Sequence, residues 1–182
     1  MGDSVFYETL LPVAWQEREH EPEPSELIQA HTINREIFSA LHVIDDVGGE
    51  AVADNENRSE NLHVEAKLNL LINMVSILLR WQQKPPPEVM IKMGSEKITW
   101  FCLKPPVLDQ WLQVQIYVCG LVPQPLSLFG RCQAVQAEND GFLVSLTLLK
   151  MEGALQEEFE KFIFRQHLRS IAQLRRRISQ DG

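Results

Sequence analysis

Residues 61–102 read NLHVEAKLNLLINMVSILLRWQQKPPPEVMIKMGSEKITWFC, and within them the apolar period changes from helical to alternating. With Asn61, Leu68 and Val75 at a positions and Val64, Leu71 and Leu78 at d positions, the first half carries a sustained heptad seam. Ile72 and Leu79 at e and Met74 and Trp81 at g are apolar as well. A two-stranded coil buries a narrow a/d seam and keeps its e and g positions charged, so this wider stripe suits a bundle of three or four helices. Asn69, Asn73, Ser76 and Arg80 remain on the outside, and Asn61 at an a position can fix register. The spacing predicts a helix over about 57–83, roughly twice the length of an average globular helix. A helix buried within one domain would need more neighbours than the single long helix that precedes it. The expected oligomerisation residues are Asn61, Val64, Leu68, Leu71, Ile72, Val75, Leu78 and Leu79.

Pro85-Pro86-Pro87 ends this helix and forms a stiff spacer, because proline lacks the donor a helix needs and favours extended backbone. Beyond it the apolar residues alternate in short runs. These are Val89, Ile91 and Met93; Ile98, Trp100 and Cys102; Val114, Ile116 and Val118; Leu126, Leu128 and Cys132; and Phe142, Val144, Leu146 and Leu148. Gly94-Ser95, Pro105-Pro106, Pro123 to Pro125 and Asn139-Asp140-Gly141 separate them as turn signals. Five or six short strands at this spacing predict a small antiparallel barrel. A last helix is expected from about Leu155, with Phe159, Phe162, Ile163, Ile171, Leu174 and Ile178 as its buried stripe across one barrel mouth.

Ahead of the heptad, Ser25 follows Pro24 as a plausible N-cap. Ile33, Ile37, Ala40, Ile44 and Val47 recur at helical spacing, and Gly48-Gly49 stops the run. The fold class is thus α+β: a six-stranded antiparallel barrel with a C-terminal helix, preceded by long coiled-coil-forming helices. The expected division is an extended segment 1–24, a helical oligomerisation region 25–84 (helices about 25–47 and 57–83) and a barrel region 85–182.

Composition narrows the chemistry. The first 60 residues hold 14 acidic and 3 basic residues, so the acidic half does not suit nucleic acid, whose phosphates need positive charge. Apolar stretches are too short for membrane insertion. Cys102, Cys119 and Cys132 are widely spaced in strand-like runs and read as reduced thiols, which points to the cytoplasm. His20, His31, His42, His63 and His167 are scattered, with no metal-ligand spacing, and no phosphate loop or nucleophile elbow occurs. The expectation is therefore no enzyme, no metal and no cofactor.

The order of elements, and the tail Glu157-Glu-Phe-Glu-Lys-Phe-Ile-Phe-Arg-Gln-His-Leu-Arg169, resemble the PilZ domain of bacterial cyclic-di-GMP signalling over about residues 88–172. A heptad helix ahead of the barrel is similar to the tetrameric, atypical PilZ proteins of xanthomonad bacteria, and that resemblance implies four parallel helices. Dinucleotide-binding PilZ domains carry Arg-x-x-x-Arg before the first strand and Asp/Asn-x-Ser-x-x-Gly after the second. The guanidinium pair grips phosphates and stacks on guanine, and the small turn residues admit the ligand. The nearest equivalents here are Arg80-Trp-Gln-Gln-Lys84 and Met93-Gly-Ser-Glu-Lys-Ile98, which leave a degenerate site of Arg80, Lys84 and Ser95. Loss of cyclic-di-GMP binding is the implied outcome. The expected function is an oligomeric signalling adaptor, a tetramer with a protein partner that docks on the barrel and its last helix; among Trp100, Trp111 and Arg165 on that candidate surface, Trp100 reads as core and Trp111 as the better surface candidate. The alternative is a cyclic-di-GMP receptor with a remodelled site.

Overall fold

The computed structural model describes residues 5–49, 68, 71, 72, 75 and 85–180. In chain order its elements are β1 (Phe6–Arg18), α1 (Pro24–Gly49), β2 (Glu88–Gly94), β3 (Lys97–Cys102), β4 (Trp111–Ile116), β5 (Leu126–Glu138), β6 (Gly141–Leu148) and α2 (Gly153–Gln180). The strands close into a barrel in the order β1-β2-β3-β6-β5-β4, with every pair antiparallel. The six-stranded barrel with a C-terminal helix is as expected.

The expected boundary at residue 24 is corrected. The segment 1–24, placed outside the barrel by the sequence reading, supplies its first strand. Phe6–Pro12 pairs with β2 and Val13–Arg18 with β4. Tyr7 and Val13 point inward and are buried, while Leu10 points out. Pro12 sits at the handover between the two partner strands, where the carbonyl of Pro12 accepts the Tyr117 N–H at 3.1 Å and Val13 N–H donates to Pro87 at 3.3 Å. A residue with no N–H costs least at such a break in the ladder.

α1 is corrected in the same way. Expected within the oligomerisation region, its middle instead packs on the barrel and on α2. Ile37, Phe38 and Leu41 are buried in the main core, and the Phe38 ring lies 6.3 Å from Phe159 and 5.8 Å from Phe162. β6 pairs with β5 only from Gly130 onward and Leu149 N–H serves the Phe129 carbonyl, which leaves the edge before Phe129 without a strand partner on that side. Asn34 covers it. Its Nδ2 donates to the Ser127 carbonyl and its Oδ1 accepts the Ser127 N–H, both at 2.8 Å. A buried side-chain amide thus takes the place of a missing strand.

α2 buries Leu155, Phe159, Phe162 and Ile163 across the barrel mouth, with Tyr7 meeting Phe162 edge-on at 6.0 Å. Those residues lie at i, i+4, i+7 and i+8, one face of a helix. Trp100 is fully buried, as its place in an alternating run suggested, and Trp111 is half-buried at the start of β4.

Candidate functional site

Four of the expected oligomerisation residues lie among the described positions. Leu68, Leu71, Ile72 and Val75 all have helical backbone, and their spacing puts them on one helix face. Their exposures in the single chain are 51 %, 57 %, 45 % and 52 %. Asn61, Val64, Leu78 and Leu79 fall outside the described residues.

Of the three candidate ligand residues, Ser95 lies among the described residues. Ser95 stands in the β2–β3 hairpin, where its carbonyl accepts Gln156 Nε2 from α2 at 3.5 Å. Arg80 and Lys84 fall outside the described residues. Pro85, the first described residue after them, lies just before the start of β2, whereas Ser95 follows its end. A strand of that length spans about 20 Å. The two residues at the motif's outer positions point inward: Met93 and Ile98 are fully buried in the barrel. They also face each other across the β2–β3 pair, and Tyr7 Oη–H donates to Met93 Sδ at 3.4 Å. Both side chains belong to the hydrophobic core. Glu96 is exposed at the hairpin tip.

The structure does join charged groups that the sequence left scattered, at the seam between α1 and α2. His42 Nε2 lies 2.7 Å from Glu158 Oε2, and Arg165 Nη1 lies 3.0 Å from His42 Nδ1. A guanidinium only donates, so Nδ1 is the acceptor and Nε2 carries the proton given to Glu158. Asp45 takes Arg169 at 2.8 Å and Arg165 at 3.7 Å. The bond from His42, followed by the Lys161 ammonium, holds the Glu158 carboxyl below the ordinary glutamate range. The sequence signal was faint: His42 and Asp45 are three apart on α1, and Glu158, Arg165 and Arg169 recur on one side of α2. Arg165, expected on a partner surface, is instead part of this seam.

Among the described residues no group of three or more His, Cys, Asp or Glu is placed to hold a metal ion. Burial raises the Cys102 and Cys132 thiols, which keeps them from the reactive thiolate form. No described helix is long and apolar enough to cross a membrane.

Comparison with known proteins gives the chain its relatives. No protein of curated function matches it. A solved structure of a pathogenic protein from Xanthomonas campestris, described as a tetrameric PilZ domain self-assembled via an unusual helical bundle, superposes with a TM-score of 0.74. The alignment covers 94 % of this chain and 93 % of that one at 19 % identity, which establishes a common fold. The family described as "Atypical PilZ domain, cyclic di-GMP receptor" matches residues 38–176. With that stretch matched and the barrel closed in the way described, this chain belongs to the atypical PilZ domain family.

Proposed function

We propose that this protein is a non-enzymatic, oligomeric PilZ-like adaptor in a cyclic-di-GMP-related signalling pathway of the cytoplasm. It assembles as a tetramer through the heptad helix, with Asn61, Val64, Leu68, Leu71, Ile72, Val75, Leu78 and Leu79 in the bundle. The observation that carries this reading is the half-exposed apolar face of Leu68, Leu71, Ile72 and Val75. Four large aliphatic side chains on one helix face favour burial by about 1.5–3 kcal/mol each when fully covered. The helical-bundle tetramer described for the Xanthomonas campestris protein supports the same reading. Assembly displays several barrels at once and raises the effective concentration for a partner that binds each one weakly. The buried Met93 and Ile98 support loss of the usual dinucleotide grip.

Light scattering tests the assembly: a multimer that persists in the Leu71→Asp, Leu78→Asp double variant sinks the reading. The second reading, a cyclic-di-GMP receptor with a remodelled site of Arg80, Lys84 and Ser95, is favoured by the family's description as a receptor. Titration calorimetry separates the two. Binding tighter than about 10 μM, abolished by Arg80→Ala, would replace the adaptor reading.

A further inference from the structure

The loop between β3 and β4 presents three aliphatic side chains to solvent. Leu103 is 73 % exposed, Val107 62 % and Leu108 55 %. Its backbone holds them there. Pro105 and Pro106 stiffen the loop, and Asp109 takes a left-handed φ of 65°. Val107 N–H donates to Glu17 Oε1 at 2.9 Å, Asp109 N–H to the Cys132 carbonyl at 2.9 Å, and Gln110 Nε2 to the Arg18 carbonyl. Arg131 Nε closes the ring of contacts on the Asp109 carbonyl at 2.9 Å. An apolar tip fixed in this way loses little conformational freedom when it is covered.

The same end of the barrel is acidic. Glu17 ends β1 beside Arg18, Glu19 and Glu21 follow in the connection to α1, and Asp109 is in the loop itself. Cys102 pairs with Phe142, which brings the β5–β6 turn with Glu138 and Asp140 alongside Leu103. All six carboxylates are exposed. Against them stands Lys104, since Arg18 is already paired with Glu26 and Arg131 with Asp109. The chain enters β2 at this same barrel end, because β2 starts where its antiparallel partner β3 stops, but on β1 the two contacts are spaced apart. The Pro87 carbonyl meets β1 at Val13, and the loop meets it at Glu17 and Arg18. Four or five strand residues separate the two points by roughly 15 Å.

We infer that this end of the barrel is the docking surface for a protein partner whose face has an apolar cleft rimmed by lysine and arginine. Leu103, Val107 and Leu108 enter the cleft, and the carboxylates of Glu19, Glu21, Glu138 and Asp140 meet the basic rim, Glu17 and Asp109 being engaged with Val107 and Arg131. Anionic lipid and nucleic acid carry the same sign as these carboxylates and are repelled by them. The inference rests on the adaptor reading and names its partner by chemistry.

The probe is a labelled helical peptide of leucine and lysine with the leucines on one face, measured by fluorescence anisotropy. An analogue with glutamate in place of lysine and vesicles rich in phosphatidylserine serve as competing probes. The basic peptide is expected to bind and to weaken with salt. Leu103→Ser, Val107→Ser, Leu108→Ser, which keeps every charge, is expected to weaken it roughly tenfold or more. Glu19→Gln, Glu21→Gln, Asp140→Asn is expected to flatten the salt dependence. Equal binding by the serine variant with an unchanged circular dichroism spectrum would overturn the inference. So would binding of the acidic analogue or the vesicles through Leu103, or a concentration-dependent self-association that the serine substitutions remove. Running each titration also on Leu71→Asp, Leu78→Asp separates a failure of docking from a failure of assembly.

Discussion

Replacing Asn34 with alanine is expected to loosen α1 from the barrel at a cost that its hydrogen bonds allow to be worked out. Asn34 is fully buried, and Ser127 nearly so. The amide serves both backbone groups of Ser127 at 2.8 Å on an edge that β6 does not reach. Without it a buried N–H and a buried carbonyl lose their partners, at about 1–3 kcal/mol each. The sum is about 2–6 kcal/mol, or a fall in Tm of roughly 4–24 °C for a chain of this size. Urea and thermal unfolding followed by tryptophan fluorescence would measure it. Asn34→Leu separates the hydrogen bonds from the lost volume, because leucine refills the space and serves neither backbone group. Both variants should be destabilised to a similar degree. A leucine variant as stable as the wild type, or an alanine variant within about 1 kcal/mol of it, would refute the idea that Asn34 caps the β5 edge.

Three other outcomes follow from the same structure. A Cβ on Gly130 would lie 2.3 Å from the Thr147 carbonyl oxygen and 2.8 Å from Leu146 Cγ, so Gly130→Ala should cost about 3 kcal/mol or more in urea denaturation. The Glu158 carboxyl sits below its unfolded-state pKa, so its contribution is full above the ordinary glutamate range and is lost as pH falls through the folded value. Glu158→Gln should therefore be less stable than wild type at neutral pH, with the gap closing on acidification; a gap independent of pH would contradict this. Restoring the motif as Met93→Asp, Ile98→Gly should produce no dinucleotide binding by calorimetry and a lower unfolding midpoint, because both side chains fill the barrel core.

Much of the barrel was legible because its later strands alternate cleanly. Ile91 and Met93, Ile98 and Trp100, Leu112 and Val114, and Val144 and Leu146 all point inward as period two requires. The first strand was not legible. Leu10, Pro12 and Ala14 blur the alternation of Thr9, Leu11 and Val13, and its partners are β2 and β4, far along the chain. Such long-range pairing leaves no local trace. The helix α1 was found, but its partner was not, since a stripe containing Ile37 and Leu41 fits a barrel as well as a bundle. The degenerate ligand motif could be aligned from sequence, and the alternating period already pointed Met93 and Ile98 inward, where both are buried. The docking loop escaped notice because Pro105-Pro106 reads as a turn, and exposure of Leu103 is not encoded in its neighbours.

The central claim is assembly through the heptad face, and multi-angle light scattering on the whole protein tests it most directly. The account predicts about four times the 20.9 kDa chain mass for the wild type and a smaller species for Leu71→Asp, Leu78→Asp. A wild-type protein that elutes as a monomer at high micromolar concentration would contradict it.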